Sequence, residues 1–212
     1  EATVRCCTQN GVRGGSATTH FPIWHQEIED ILVLKNNKGT EDNRVRKLDY
    51  SIQISELFYK RFINNQDISL FSPHDVDNLY DVFGSPEFDA LYEKYERNKK
   101  IPRKTINAQK LFMELLRERA ETGRIYIMNI DHCNTHSSFK DKVYMSNLCQ
   151  EITLPTKPVQ HIDDDEGEIA LCILSAINLG LIKDKEELEE LCDLSVRALD
   201  EIIDYQEYPV AA

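Results

Sequence analysis

The stretch that decides the fold class reads Lys47-Leu48-Asp49-Tyr50-Ser51-Ile52-Gln53-Ile54-Ser55. Its apolar side chains stand at every second position, which is the pattern of a β-strand with one buried face. Ser55 is a suitable N-cap for a helix that runs to about Asn64. The stretch therefore predicts a strand followed directly by a helix.

The same order of strand and helix recurs along most of the chain. Further strands are predicted over residues 18–24, 67–71, 124–130 and 168–178, and helices over residues 24–35, 73–83, 86–98 and 107–122. A last helix begins after Asp184, which with Glu187 resembles a capping box. Its predicted buried face consists of Leu188, Leu191, Leu199, Ile202 and Ile203. This alternation predicts an α/β protein with a parallel sheet or barrel, whose active groups collect at the carboxyl ends of the strands.

Composition excludes several classes of protein. The 212 residues are 41% hydrophobic and 29% charged, which is ordinary for a globular protein. The formal net charge of -12 argues against a broad surface for nucleic acid polymers, because such surfaces need clustered Lys and Arg. No apolar run approaches the ~20 residues that span a bilayer, and no signal peptide opens the chain. A cytoplasmic protein that binds neither a membrane nor a nucleic acid polymer is predicted.

A second stretch carries the candidate chemistry and reads Ser146-Asn147-Leu148-Cys149-Gln150-Glu151-Ile152. It places an amide, a thiol and a carboxylate at alternate positions, and in an extended backbone such side chains point the same way. A carboxylate can take a proton, an amide can hold a hydroxyl, and a thiol can do nucleophilic, redox or radical chemistry. The alternative is that Cys149 is a small buried hydrophobic residue.

Four other features allow more than one interpretation. The Gly-rich loop at 5–16 predicts either a phosphate or nucleotide contact or a flexible surface turn. Residues 131–136 carry two His and one Cys, an incomplete set for zinc, and predict a polar loop at a strand exit. The acidic run at 163–166 predicts a solvated loop tip rather than a cation site. The basic and aromatic residues at 92–100 predict a solvated helix face with Tyr92 or Tyr95 turned inward. No metal site is predicted anywhere in the sequence.

Cysteine usage indicates a reducing compartment. The six cysteines stand at positions 6, 7, 133, 149, 172 and 192 and include no CxxC pair. They are interpreted as reduced thiols, so any disulfide among them is expected to be redox-active rather than structural.

Several blocks of the sequence together resemble the large, catalytic alpha subunit of class I ribonucleotide reductase. Two of them are the stretch at 146–152 and Ala170-Leu171-Cys172-Ile173-Leu174-Ser175-Ala176-Ile177-Asn178-Leu179-Gly180. The others are Gly11-Val12-Arg13-Gly14-Gly15, Leu34-Lys35-Asn36-Asn37, Leu70-Phe71-Ser72-Pro73-His74-Asp75-Val76, Thr122-Gly123-Arg124-Ile125-Tyr126-Ile127 and Asp131-His132-Cys133-Asn134-Thr135-His136. They occur in the family's order over essentially all 212 residues, so the resemblance is more specific than any single motif.

The resemblance implies a fold and a set of catalytic roles. Residues 1–212 would be an incomplete segment of one catalytic domain, an α/β barrel of ten strands with an inserted finger loop. On that loop, Cys149 would be the transient thiyl radical that takes the 3′-hydrogen of a ribonucleoside diphosphate. Glu151 would be the general base at the 3′-hydroxyl, and Asn147 would orient the ribose hydroxyls. Cys172 would be one of two thiols that reduce the 2′ position and end as a disulfide.

The resemblance also implies partners and effectors. The loop at 5–16 is similar to the family's switch loop between the specificity effector and the substrate base, with Gln9, Arg13 and Gly14 as the matching contacts. No cofactor is expected in this chain, because a metal-containing small subunit would supply the radical. ATP and dNTP effectors, a large-subunit homodimer, and thioredoxin or glutaredoxin as reductant complete the expected set.

Parts of the family pattern have no match in these residues. The second reducing cysteine, the amino-terminal activity domain, the diphosphate-binding loop, the radical-relaying tyrosine pair and the cysteine-bearing tail are not found, and Cys6 and Cys7 do not match the missing cysteine. The 212 residues alone are therefore expected to be inactive. A non-catalytic nucleotide-binding or assembly module derived from the subunit is the alternative. A glycyl-radical-type enzyme is less favoured, since it expects a glycine motif that these residues lack.

Overall fold

The chain divides into two units, Glu1–Pro155 and Thr156–Ala212, and a three-stranded parallel sheet is the main feature of the first. The computed structural model describes the backbone of all 212 residues and every side chain except those of Gln9 and Asn43. The strands are β1 (Thr8–Gln9), β2 (Arg13–Gly14), β3 (Thr18–Pro22), β4 (Asp49–Ile54), β5 (Asp67–Leu70), β6 (Lys104–Asn107) and β7 (Ile125–Asn129). The α-helices are α1 (Ala2–Cys6), α2 (Ile28–Leu32), α3 (Glu56–Ile63), α4 (Phe88–Arg97), α5 (Ala108–Thr122), α6 (Ile130–Thr135) and α7 (Lys185–Tyr205). The predicted α/β class is confirmed.

Strand β4 lies in the middle of the sheet, between β3 and β7, and both pairings are parallel. His20, Ser51 and Tyr126 stand side by side in register. Because parallel neighbours in register share a face, all three strands present one set of alternating residues to each side of the sheet. The strands predicted at 18–24, 47–55 and 124–130 are confirmed, with ends a few residues further inward.

One face of the sheet packs on the main apolar core. Tyr50, Ile52 and Ile54 point into it from β4, and each is at most 2% exposed. Residues of α2, α3 and α5 and of the strands β5, β6 and β7 contribute to the same core. The Tyr50 hydroxyl donates to the Leu32 carbonyl at 2.8 Å, so its one polar atom is satisfied, and burial raises the pKa of this side chain.

Helices α3 and α5 both begin at the residues that the sequence predicts, but different contacts stabilise their ends. Helix α5 begins where the Asn107 side chain accepts from the Lys110 N–H at 3.1 Å, and it ends at Gly123 in the left-handed conformation, with φ of 65°. Ser55 occupies the N-cap position of α3 as predicted. The Glu56 N–H in the first turn, however, donates to Asp131 Oδ2 at 2.5 Å. A long-range contact therefore stabilises the start of α3.

Truncation of the core face of α5 is expected to destabilise this unit locally. Leu111 is 0% exposed, so Leu111→Ala should lower the free energy of unfolding by about 2–5 kcal/mol through lost burial and a residual cavity. Met113 on the same helix is 59% exposed, and Met113→Ala serves as the control. Hydrogen exchange of α5 amides in the full-length protein measures the difference. Equal exchange in both variants would contradict this account of the core.

The region between β5 and β6 differs in part from the prediction. β5 and β6 pair antiparallel, and α4 confirms the helix predicted at 86–98. Tyr92 of α4 is buried, as predicted, and its hydroxyl bonds with the backbone N–H and carbonyl of Ser69. The prediction of a helix at 73–83 is wrong, because only a 3-10 turn forms, at Pro73–Asp75. Asn78 has a φ of 59°, a left-handed conformation that breaks a right-handed helix.

The second unit consists mainly of α7 and the loops before it. Asp184 caps α7 by accepting from the Glu187 N–H at 2.8 Å, and Glu187 accepts in return from the Lys183 N–H at 2.8 Å, so the predicted capping-box-like start is confirmed. A 3-10 turn at Leu179–Leu181 precedes it. No helix in the described part of the chain, α7 included, is long and apolar enough to cross a membrane.

Two predictions for the second unit are wrong. Residues 168–178 form no strand in the described structure, apart from an isolated bridge between Lys157 and Glu168. The predicted buried face of α7 is not buried, since Ile202 and Ile203 are 45% and 47% exposed. The physical reason is the same for both. A parallel strand needs a neighbouring strand and an amphipathic helix needs an apolar surface, and this unit by itself supplies neither.

Candidate active site

The stretch at 146–152 forms a turn rather than an extended strand. The backbone N–H of Asn147 donates to the Ile152 carbonyl at 3.2 Å, and the Ile152 N–H donates to Asn147 Oδ1 at 3.0 Å. The Gln150 N–H donates to the Asn147 carbonyl at 3.2 Å, and Gln150 has a φ of 63°. The prediction of an extended backbone is therefore wrong, because the Asn147 side chain takes a backbone donor that a strand would need.

The turn still holds the three predicted chemical groups within one short loop. Cys149 and Glu151 are exposed, so the alternative of a buried hydrophobic cysteine is wrong, and Asn147 is half-buried. Tyr126 of β7 lies beside the turn. Burial raises the pKa of Tyr126, and negative charge on Cys149, Asp49 and Glu151 acts in the same direction. The thiol and the carboxylate therefore influence the same phenol.

The segment that leads to the turn crosses the second face of the sheet. Three side chains of the sheet donate to its backbone carbonyls at every second position. Gln53 Nε2 donates to the Tyr144 carbonyl at 2.5 Å, His20 Nε2 contacts the Ser146 carbonyl at 3.2 Å, and Thr18 Oγ1 donates to the Leu148 carbonyl at 2.6 Å. The polar face of the sheet thus binds residues 144–148 through their backbone.

These contacts place the Cys149 turn at the amino ends of the strands. Thr18 is the first residue of β3, and it contacts the tip, whereas Gln53 lies near the end of β4 and contacts the start of the segment. The alternation of strands and helices by itself predicts active groups at the carboxyl ends. The difference arises because the segment runs antiparallel to the sheet and carries the cysteine down to the opposite edge.

His20 is held in one tautomer by this arrangement. A carbonyl oxygen can only accept, so Nε2 carries the proton that reaches Ser146. Nδ1 is buried and has no hydrogen-bond partner among the described residues. Burial lowers the pKa of His20, against the opposing effect of the Ser146 carbonyl.

Sequence reasoning missed the residues that hold the segment. Ser51 and Gln53 alternate with the apolar residues of β4, and such polar positions ordinarily face water. In the structure both are 0% exposed, because residues 144–150 cover them. The available signal was the neutral, hydrogen-bonding character of these positions, since solvated strand faces more often carry charges.

The Gly-rich loop is an exposed two-stranded hairpin. β1 and β2 pair antiparallel, and Asn10 and Gly11 adopt positive φ in the connection. Arg13 and Gly14 are exposed in β2. Gly15 lies so close to the Cys7 and Val4 carbonyls that a Cβ there would stand 2.3 Å from each oxygen. The Gln9 side chain lies outside the described part of the structure.

The remaining predicted residues lie elsewhere. Cys172 belongs to the second unit and is exposed, and the six cysteines, all within the described part, are free thiols. Asp164 accepts from the backbone N–H groups of Gln160, Glu166 and Gly167, which confirms a loop tip at 163–166 and lowers the pKa of Asp164. Among the described residues no group of three or more His, Cys, Asp or Glu could hold a metal ion.

Residues 131–136 are helical rather than a polar loop, since α6 covers them up to Thr135. Their expected hydrogen-bonding role is confirmed by Asn134. Its side chain donates to the Ile130 and Val143 carbonyls at 3.0 Å each and accepts from the Val143 N–H at 2.9 Å. Asn134 therefore fixes the residue at which the segment to the Cys149 turn begins.

Comparison with known proteins identifies the family. The family described as ribonucleotide reductase, barrel domain, matches residues 1–212. The chain is 59% identical over 215 residues to the ribonucleoside-diphosphate reductase subunit alpha of Buchnera aphidicola subsp. Schizaphis graminum, covering 99% of this chain and 28% of the relative. It is 56% identical over 217 residues to the subunit of the same name in Haemophilus influenzae, covering 100% of this chain and 29% of the relative.

A more distant relative is the ribonucleoside-diphosphate reductase subunit alpha of Enterobacteria phage T4, which is 44% identical over 218 residues, 99% of this chain and 28% of the relative. The chain thus spans less than a third of the length of these relatives. The family match nevertheless extends over every residue of the chain. The chain therefore belongs to the barrel-domain family of the ribonucleotide reductases.

Proposed function

We propose that this chain is the segment of a ribonucleoside-diphosphate reductase alpha subunit that carries its radical cysteine. The observation that supports this most directly is the position of Cys149 at the tip of an exposed turn, two residues from the exposed carboxylate of Glu151, in a chain of this family. In the proposal, the three parallel strands are part of a ten-stranded α/β barrel. Residues 146–152 are the tip of its finger loop.

The proposed reaction begins at Cys149. Its thiyl radical takes the hydrogen atom from C3′ of the ribose, so the C3′–H bond breaks and the S–H bond of Cys149 forms. Glu151 accepts the proton of the 3′-hydroxyl, and this deprotonation favours the loss of the 2′-hydroxyl as water. A pair of thiols supplies two protons and two electrons and ends as a disulfide. One of these protons leaves with the 2′-hydroxyl as water, a hydrogen atom is added at C2′, and the remaining electron, together with the proton that Glu151 returns, restores the 3′-hydroxyl. Cys149 then returns its hydrogen atom to C3′ and becomes the radical again.

Asn147 has a defined share in this proposal. Its Oδ1 already accepts from the Ile152 N–H at 3.0 Å and from Ser146 Oγ at 3.2 Å. The Nδ2 group is therefore the part of this side chain that donates to a ribose hydroxyl. The same amide closes the turn and orients the substrate, which ties the shape of the loop to the position of the sugar.

Cys172 is proposed as one of the two reducing thiols, and its exposure as a free thiol supports disulfide exchange. The second thiol belongs to a part of the subunit outside these residues. A small subunit provides the metal-dependent radical, thioredoxin or glutaredoxin regenerates the dithiol, and the subunit acts as a homodimer in the cytoplasm. The hairpin with Gln9, Arg13 and Gly14 relays the binding of ATP or dNTP effectors to the substrate base.

The full-length protein tests this function directly. Mixed with its small subunit and a dithiol reductant, it should convert a radiolabelled ribonucleoside diphosphate into the deoxyribonucleoside diphosphate. The radical of the small subunit is measured first by electron paramagnetic resonance, so that an inactive partner is recognised. No deoxyribonucleotide in the presence of that radical would overturn the proposal.

Removal of the proposed base should slow the chemistry without disturbing the turn. Glu151→Gln keeps the size of the side chain and removes its ability to accept a proton, so kcat should fall by about 10²–10⁴-fold. The KM for the ribonucleoside diphosphate should change by no more than about threefold, because the substrate keeps its other contacts. Glu166→Gln, in the exposed acidic loop, is the control. Unchanged kcat in Glu151→Gln would exclude this residue as the base.

A further inference from the structure

The residue that follows Cys149 is tied to the sheet through both ends of its side-chain amide. Ser51 Oγ donates to Gln150 Oε1 at 2.7 Å, and Gln150 Nε2 donates to the Ile127 carbonyl at 2.6 Å. Ser51 is the third residue of β4 and Ile127 the third residue of β7, and these strands are direct neighbours. One side chain thus bridges two strands.

The backbone of Gln150 indicates that its side chain is needed. Its φ of 63° lies in the left-handed region, which residues with a side chain rarely adopt and glycine adopts readily. Glycine would form the same turn with less strain. Glutamine adds the two hydrogen bonds to the sheet, so the strained conformation is offset by contacts that only a long amide makes here.

Burial makes the contact between Gln150 and Ser51 specific. Ser51 is 0% exposed, so its hydroxyl has no access to water. A buried hydroxyl needs a hydrogen-bond partner, and here that partner is Gln150 Oε1. Removal of either side chain leaves a polar group of the other unpaired.

Both neighbours of Cys149 are therefore anchored. The Leu148 carbonyl accepts from Thr18 on β3, and Gln150 is held by Ser51 on β4 and by the Ile127 carbonyl on β7. Because peptide units are planar, anchors on both sides restrict the path of the backbone through Cys149. The main remaining freedom of the thiol is the rotation of its own side chain.

We propose that Gln150 and Ser51 are positioning residues, a latch that holds the Cys149 sulfur at the distance and direction needed to take the 3′-hydrogen. The latch rests on the proposed function of Cys149. Transfer of a hydrogen atom requires close approach of the reacting atoms, and a shift of about 1 Å can slow a reaction about 10²-fold. A turn without the latch keeps its thiol, its carboxylate and its substrate contacts, but the Cys149 sulfur is no longer held in position for the 3′-hydrogen.

The test uses Gln150→Leu, Ser51→Ala and the double variant in the full-length enzyme with its small subunit. Each single variant should lower kcat about 10- to 100-fold, with the KM for the ribonucleoside diphosphate within about twofold of wild type. The double variant should be no slower than Gln150→Leu alone, because the two residues act as one unit. Gln109→Leu is the matched control, since Gln109 also donates to a backbone carbonyl, that of Phe62 at 2.9 Å, but on α5.

A kinetic isotope effect distinguishes a misplaced Cys149 thiol from a loss of folded enzyme. If the latch aims the thiol, hydrogen transfer becomes slower than the other steps, and the effect of 3′-deuterated substrate on kcat should rise above the wild-type value. A variant that is only partly folded loses active molecules, and its remaining molecules keep the wild-type isotope effect. A lower kcat with that unchanged isotope effect, or a wild-type kcat in both single variants, would overturn the latch. Failure of the proposed function is recognised separately, because the wild-type enzyme would then form no deoxyribonucleotide.

Discussion

Cys149→Ser in the full-length enzyme is expected to reduce deoxyribonucleotide formation to less than about 10⁻³ of the wild-type rate. The substitution replaces one atom and keeps the shape of the exposed turn, so the loss follows from chemistry rather than from packing. A serine hydroxyl holds its hydrogen much more strongly than a thiol does, so the small subunit cannot turn it into a radical. The rate is measured as conversion of a radiolabelled ribonucleoside diphosphate.

The same variant should bind nucleotides almost normally. The contacts that close the turn involve Asn147, Gln150 and Ile152 and do not use the sulfur. Equilibrium binding of the substrate is therefore expected to stay within about twofold of wild type. Cys192→Ser on α7 is the control, because Cys192 is also an exposed free thiol. Reductase activity retained by Cys149→Ser would refute the central assignment.

Cys172→Ser is expected to stop the reaction at a later step. In the proposed reaction, Cys149 can still take the 3′-hydrogen in this variant, but the pair of thiols that reduces the 2′ position is incomplete. Formation of deoxyribonucleotide should again fall below about 10⁻³ of the wild-type rate. Release of tritium from 3′-labelled substrate should continue, whereas Cys149→Ser releases none.

Comparison of Cys149→Ser with Cys172→Ser distinguishes the radical cysteine from the reducing cysteine by a measurement other than product formation. Both variants are expected to make almost no product, so only the tritium measurement distinguishes them. If Cys172→Ser releases no tritium, Cys172 is needed before or during hydrogen abstraction and is not simply a reductant. If it makes product at the wild-type rate, another thiol reduces the 2′ position.

The sequence predicted the central sheet well because local signals and tertiary packing agree there. The period of two in β4, the apolar strand β7 and the helix ended by Gly123 are all present in the structure. The same reasoning was wrong for residues 73–83, where the left-handed conformation of Asn78 ends helical geometry after a 3-10 turn. Asparagine tolerates that conformation without a clear signal in its neighbours.

The second unit shows a different kind of limit. Residues 168–178 and α7 carry the patterns of a buried strand and an amphipathic helix, yet they remain irregular and exposed, respectively. A periodic pattern states which side chains would be buried, but burial itself requires a surface supplied by other residues. The periodic pattern predicts which face of an element prefers burial, and the presence of a packing surface decides whether that face is buried.

For the site, the sequence indicated which side chains carry the candidate chemistry, and the structure showed the backbone conformation that holds them. Asn147, Cys149 and Glu151 were selected from their residue types and their alternate spacing, and their roles remain predictions. The spacing argument behind them assumed an extended backbone, which the Asn147 side chain prevents by bonding to Ile152. The three groups therefore stand on a turn and not on an alternating strand.

The sequence by itself determined the α/β class, the two-faced strand at 47–55 and the thiol between an amide and a carboxylate. Tertiary structure alone decided what lies on the polar face of that strand. Ser51 and Gln53 face the protein interior because residues 144–150 cross over them, a contact between parts of the chain about a hundred residues apart. Local sequence encodes which groups can hydrogen-bond, whereas the choice of partner depends on the path of the whole chain. That path gives Gln150 its contacts with Ser51 and Ile127, and with them the aim that we propose for Cys149.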